Sequence, residues 1–235
     1  MLLHPDSVIS PAEAASRLSA VRTRMAEAAA RAGRDPGEVT LLGVSKTFPV
    51  GMIKVYAQAG LPDFGESYIQ EARDKAAELD GFKPEPRWHF IGHLQTNKAK
   101  YAAPLFSVIH SLDDLGLARD LNRRAEALER TISVYIQVNV AGEDTKNGLA
   151  PAELPAFLEA LTPLTSLKPL GLMTMPPYDP DPEVSRPHFA ALRELRDQHA
   201  PHLSGLSMGM SGDFEVAIEE GATIIRVGTT LFGVR

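Results

Sequence analysis

The feature that most constrains this chain is a period. From residue 40 onward, short apolar runs alternate with longer amphipathic ones. The apolar runs lie at 40–45, 63–66, 88–92, 108–111, 133–140, 169–174, 205–210 and 224–228, and they predict strands. Between them the spacing predicts helices over 51–59, 68–79, 96–102, 114–130, 152–161, 182–199 and 213–220. Strict β/α alternation favours a parallel sheet with helices outside it. Eight such units in a chain of 235 residues favour closure into a barrel. An open doubly wound sheet would want a glycine-rich phosphate turn after its first strand, where this chain has Ser45-Lys46-Thr47-Phe48. The expected fold is therefore α/β, a single (β/α)8 TIM-type barrel domain over residues 1–235 with an extra N-terminal helix. That helix starts at Ser10-Pro11-Ala12-Glu13, which reads as a capping box with proline in the first turn. Leu18, Val21, Met25, Ala28 and Ala32 then fall on one face, and Gly33 ends the run.

Composition narrows the function classes. The net charge of −6 argues against general affinity for nucleic acid or anionic membrane. With no cysteine, neither a disulfide framework nor a thiolate metal site can form. The start, Met1-Leu2-Leu3-His4-Pro5-Asp6, lacks the basic and apolar regions of a secretory signal, and no apolar run approaches a membrane span, so a cytoplasmic protein is expected.

In a barrel of this kind the chemistry lies where the strands end. Those ends carry Lys46, Glu66-Ser67-Tyr68, His89 and His93, Ser111, Asn139, Met173-Thr174, Ser207 to Ser211, and Arg226 to Thr230. The stretches Leu206–Asp213 and Arg226–Thr230 follow the seventh and eighth strands, the recurrent phosphate site of such barrels. They are rich in glycine, hydroxyls and free backbone N–H groups, which suit an anion. Closure sets the first strand beside the eighth, so Lys46 lands near Gly228 and Thr229. A lysine next to a phosphate cradle suits a phosphorylated aldehyde or ketone held as a Schiff base. Along the eighth strand Ile224, Arg226 and Gly228 share a face. If that face is inward, Arg226 is a buried cation in need of an acceptor, and a pyridine nitrogen would serve. His89 and His93 have no carboxylate or thiolate near them in sequence; stacking or core hydrogen bonding fits them better than a metal. The loop 139–148 brings a second lysine, Lys146, to the mouth, and the proline-rich stretch 175–182 forms either a lid or a stiff surface loop.

The motifs Gly43-Val44-Ser45-Lys46-Thr47, Phe64–Glu71, Trp88–Lys98, Gly171-Leu172-Met173, Leu206–Ser211 and Arg226-Val227-Gly228-Thr229 resemble those of the pyridoxal 5′-phosphate homeostasis proteins over nearly the whole chain. That family resembles the barrel domain of alanine racemase and ornithine decarboxylase without their second, β-rich domain. The resemblance implies pyridoxal 5′-phosphate as cofactor, carried by Lys46 as a Schiff base. It implies phosphate contacts from Ser207, Gly228 and Thr229, with Arg226 facing the pyridine nitrogen, and a transient cofactor-handling role for Lys146. The family usually has Asn where this chain has Ser67.

Three readings of function follow. An Arg on the ring nitrogen disfavours its protonation and weakens the cofactor as an electron sink. Decarboxylation and transamination benefit from the protonated ring; a racemase can work without it but needs an acid/base on each face of the substrate carbon, and only Tyr68 and His89 could join Lys46 in that role. The expected function is therefore that of a cofactor carrier, a monomer that holds the cofactor and surrenders it to apo forms of cofactor-dependent enzymes. A slow amino acid racemase is the alternative. An aldolase acting on a sugar phosphate explains Lys46 but leaves Arg226 without a partner.

Overall fold

The computed structural model describes residues 8–143 and 147–234. Eight parallel strands close on themselves in sequence order: β1 (Thr40–Val44), β2 (Asp63–Glu66), β3 (Arg87–Phe90), β4 (Val108–Leu112), β5 (Ile132–Gln137), β6 (Leu167–Met173), β7 (Gly205–Met210) and β8 (Ile224–Val227). The seam is β1 on β8, with Leu42 opposite Arg226 and Gly43 opposite Val227. Outside run α2 (Val50–Gln58), α3 (Ile69–Glu78), α4 (Ala99–Leu105), α5 (Leu115–Ala127), α6 (Leu154–Leu161), α7 (Arg186–His199) and α8 (Phe214–Glu219), one after each of the first seven strands. The expected closed barrel is the fold observed.

The leading helix α1 (Pro11–Arg31) has a definite place in that ring. Only a four-residue helix, α9 (Thr229–Phe232), follows β8 among the described residues. α1 packs against α2, α8 and α9, so it covers the sector that a full helix after β8 would cover. Its buried side chains Ala14, Leu18, Val21, Met25, Ala28 and Ala29 make one stripe. Arg17 donates to the Leu231 carbonyl at 2.9 Å, and Arg34 to those of Ile218 and Ala222 at 2.7 and 2.9 Å, tying it down at both ends. Half of the expected capping box forms. Glu13 N–H donates to Ser10 Oγ, while the Glu13 carboxylate turns to Arg17 instead.

Two layers of side chains fill the molecule. The larger lies between the strands and the helices. The smaller lies inside the barrel and contains Leu42, Val108, Tyr135, Met173 and Ile224. Glycine permits one close approach: a Cβ on Gly171 of β6 would stand 1.8 Å from the Gly205 carbonyl oxygen of β7, so no other residue fits there.

Candidate functional site

Lys46 follows the end of β1 by two residues and is half-buried. The turn that carries it is fastened from below. Ser45 is fully buried, and its hydroxyl donates to Glu66 Oε1 at 2.7 Å. Lys75 of α3, itself buried, donates to the Ser45 carbonyl at 2.8 Å, to Glu66 Oε1 at 2.8 Å and to Glu71 Oε1 at 2.7 Å. Glu71 also accepts the Thr47 N–H. Thr47 has φ +66°, a left-handed conformation that costs a β-branched residue energy and persists only where the surroundings impose it. Burial raises the Glu66 carboxyl above its ordinary pKa, against the opposing charge of Lys75, and Glu66 Oε2 has no hydrogen-bond partner among the described residues. This clamp was not foreseen. Lys75 lies at an ordinary helix position, and nothing in its spacing sets it apart from a solvated lysine.

Across the seam, a Cβ on Gly228 would lie 3.5 Å from Val44 Cβ, so the end of β8 runs against the last residue of β1. Gly228 N–H donates to Ser211 Oγ at 3.1 Å, joining the loops after β7 and β8. The β7 loop is set by two residues. Gly209 has φ +92°, and a Cβ there would meet Ala217 Cβ at 2.6 Å. Asp213 accepts Met210 N–H at 2.6 Å and the Ser185 hydroxyl at 2.9 Å. Ser211 and Gly228 remain half-buried and Thr229 exposed, at the start of a helix whose first N–H groups have no intrahelical acceptor.

Arg226 points into the barrel, as the shared face with Ile224 predicted. Its Nη1 donates to the Ser207 carbonyl and to Ser207 Oγ, both at 2.8 Å, and Nη2 donates to the Thr174 carbonyl at 2.9 Å. Burial lowers its pKa to about 10, against the attraction of Asp213. Nε makes no hydrogen bond within the described residues. One donor direction of the guanidinium is thus uncommitted. Ser207 is fully buried beneath this group and already engaged by Arg226 and His110. The structure therefore separates Ser207 from Ser211: the first lies in the interior with Arg226, the second at the rim with Gly228.

The histidines divide in the same way. β3 ends at Phe90, so His89 and His93 do not share a strand face. His93 is exposed, whereas His89 is buried between Asp63 and His110, at 2.9 Å from each. Sequence reading passed over His110 in favour of Ser111. β4 turns His110 inward, where it stacks on Tyr135 with ring centroids 4.7 Å apart, and the buried Ser111 hydroxyl has no hydrogen-bond partner among the described residues. Tyr68 is 57% exposed ahead of α3, and Ser67 is half-buried beside it. Met175 and Tyr178, in the stretch considered as a lid, are exposed. Lys146 lies outside the described residues. Among the described residues no cluster of His, Asp and Glu could hold a metal ion, and no helix is long and apolar enough to cross a membrane.

Residues 16–235 match the family described as the alanine racemase N-terminal domain. The pyridoxal phosphate homeostasis protein of Aquifex aeolicus is 48% identical over 94% of this chain and 98% of its own length, and that of Pseudomonas aeruginosa 47% identical over 94% and 95%. Among solved structures, PipY of Synechococcus elongatus with pyridoxal phosphate bound superposes with a TM-score of 0.81 at 38% identity, covering 94% of this chain and all of that one. Alanine racemase of Corynebacterium glutamicum shares the fold, with a TM-score of 0.72 at 16% identity over 98% of this chain and 63% of that one.

Proposed function

The chain belongs to the pyridoxal phosphate homeostasis proteins of the alanine racemase N-terminal domain family, and from that premise we propose that it binds pyridoxal 5′-phosphate at the barrel mouth, holds it as a Schiff base of Lys46 and takes part in the cell's homeostasis and delivery of the cofactor. The cofactor brings an aldehyde, a pyridine nitrogen and a phosphate. The donor set suits all three. Lys46 offers an amine at the end of β1. Arg226 keeps its Nε–H uncommitted and can meet a ring nitrogen. At the rim Ser211, which accepts the Gly228 N–H and keeps its own hydroxyl hydrogen, and Thr229, at the first position of α9, offer hydroxyl and N–H donors. The observation that carries the reading is the β1–β8 seam, where Leu42 lies opposite the buried Arg226 and Gly228 runs against Val44, two residues before Lys46. In this arrangement Ser207, expected to touch the phosphate, acts on Arg226 instead, and Ser211 takes its place at the rim.

The carrier reading is favoured over the racemase by what surrounds Lys46. A guanidinium donor keeps a ring nitrogen unprotonated, which disfavours decarboxylation and transamination, and a racemase, which can work without that proton, needs a second acid/base. Of the two residues that could supply a second acid/base, His89 is closed inside the barrel and Tyr68 is turned to solvent. Reversible loading, as a monomer and with apo enzymes as recipients, completes the proposal. Borohydride reduction of the loaded protein followed by mass spectrometry tests it. A pyridoxyl group on Lys46, absent from Lys46→Ala, is expected; an adduct confined to another lysine, or an equally loaded Lys46→Ala, refutes the assignment. A sugar-derived adduct would favour the aldolase.

A further inference from the structure

The polar groups inside the barrel form a continuous line. Asp63 Oδ1 lies 2.9 Å from His89 Nε2, and His89 Nδ1 lies 2.9 Å from His110 Nε2. His110 Nδ1 lies 2.8 Å from Ser207 Oγ, and Ser207 Oγ lies 2.8 Å from Arg226 Nη1. All five side chains are buried, with His110 and Ser207 fully so. Strands β2, β3, β4, β7 and β8 each contribute one residue. Bulky apolar side chains usually fill these layers of a barrel, so a polar line across one needs a reason.

Donors and acceptors fix the direction of the line. Arg226 can only donate, so Ser207 Oγ accepts from it and keeps its own hydrogen for His110 Nδ1. His110 then carries its proton on Nε2 and donates to His89 Nδ1. His89 carries its proton on Nε2 and donates to Asp63, a carboxylate that only accepts. With both histidines neutral every position is satisfied. Were His110 to donate to Ser207, the Ser207 hydroxyl would have no acceptor among the described residues. The electrostatics agree. Burial, together with the charge of Arg226, holds His110 well below its ordinary pKa. Burial alone would raise Asp63, but hydrogen bonds from His89 and Arg87 outweigh it and keep that carboxyl ionised.

We propose that Asp63, His89, His110 and Ser207 are positioning residues for Arg226: a one-way hydrogen-bond relay, anchored on Asp63 at the start of β2, that holds the guanidinium so that Nε–H faces the barrel mouth. None of the four reaches a ligand itself. The relay stands on the geometry alone; its consequence for the ring nitrogen rests on the function proposed above.

Two measurements test it. In 15N-histidine-labelled protein without cofactor, long-range 1H–15N correlation at neutral pH is expected to show His89 and His110 both neutral with the proton on Nε2. His110 protonated on Nδ1, or His89 as the cation, overturns the relay. The second compares binding of pyridoxal 5′-phosphate with its benzenoid analogue, in which CH replaces the ring nitrogen, across wild type, Arg226→Met, His110→Phe and Ser207→Ala. His110→Phe preserves stacking on Tyr135, and Ser207→Ala removes one atom. Both are expected to reduce the preference for the pyridine form by about tenfold, the worth of one hydrogen bond to a charged donor, and to leave analogue binding unchanged. Equal weakening of both ligands assigns the residues to the phosphate or to general stability and overturns the proposal. If Arg226→Met itself leaves the preference unchanged, the reading of Arg226 against a ring nitrogen fails; if it alone shifts the preference, only the relay fails.

Discussion

Removing Lys75 should expose what holds Lys46 in place. In Lys75→Met the buried ammonium that serves Glu66, Glu71 and the Ser45 carbonyl becomes an apolar chain of similar length. Glu66 is then a fully buried carboxyl whose Oε1 keeps only the Ser45 hydroxyl and whose Oε2 has no partner among the described residues. Breaking a buried pair in this way costs about 3–5 kcal/mol when the surviving charge stays ionised. Glu66 has an escape, however. Its pKa already lies above the ordinary 4.5, and Lys75 is the main influence opposing that rise, so in the variant it climbs further and a proton can neutralise the group.

The sign of the pH dependence follows. Between the unfolded value near 4.5 and the raised folded value, the folded variant binds more protons than the unfolded chain. Stability is therefore fully retained at the acidic end of that window and lost as pH rises through it. Urea unfolding should show Lys75→Met about 3 kcal/mol less stable than wild type at pH 8, with a clearly smaller deficit at pH 5. Glu66→Gln added to it should restore most of the loss, with a coupling of roughly 1.5 kcal/mol or more. A deficit below about 1 kcal/mol at pH 8, with no steeper pH slope than wild type, would mean that water or rearrangement compensates Glu66 and that the clamp is not rigid.

Three shorter predictions concern the frame and the rim. Gly209→Ala forces a Cβ to 2.6 Å from Ala217 Cβ at φ +92°, and should cost more than about 2 kcal/mol in chemical denaturation; a smaller loss would mean that the β7 loop yields easily. Gly171→Ala sets a Cβ against the Gly205 carbonyl and should prevent a stable barrel, seen as loss of the cooperative thermal transition; a well-folded variant would place β6 and β7 further apart than described. Ser211→Ala should weaken pyridoxal 5′-phosphate several-fold in equilibrium binding while leaving pyridoxal unchanged, since one hydrogen bond to an anion is at stake. Equal effects on both ligands would remove Ser211 from the phosphate cradle.

The barrel was legible because its signal is redundant. Each strand's outward residues must be apolar to meet a helix, and the predicted strand ends fall close to the observed ones on all eight. The seam was legible too, because closure follows from eight units and puts the end of β1, just before Lys46, beside the end of β8 without knowledge of any side-chain contact. What strand ends alone do not give is the direction of a side chain. β4 shifts register between Ile109 and Leu112, and β7 between Ser207 and Met210. Taking the last residues of a predicted strand as mouth residues chose Ser111 where β4 turns His110 inward, and the resemblance named Ser207 for the phosphate where the fold sets Ser207 in the interior and Ser211 at the rim. His93 failed for a simpler reason, since β3 stops three residues before it.

The interior could still have been approached from one residue. Apolar runs reveal only the face that meets the helices; Gly65, His89, His110, Ser207 and Arg226, on the other face, leave no hydrophobic pattern to find. Yet a charge that cannot be removed and lies inside a barrel must be given acceptors by neighbouring strands, or the fold loses several kcal/mol. If the face of Arg226 is inward, the sequence requires hydrogen-bonding side chains on the strands around it. Histidines on β3 and β4 and a serine on β7 are the residues that the barrel order brings within reach. The demand for acceptors, rather than periodicity, is the part of the sequence that specifies the floor of the site.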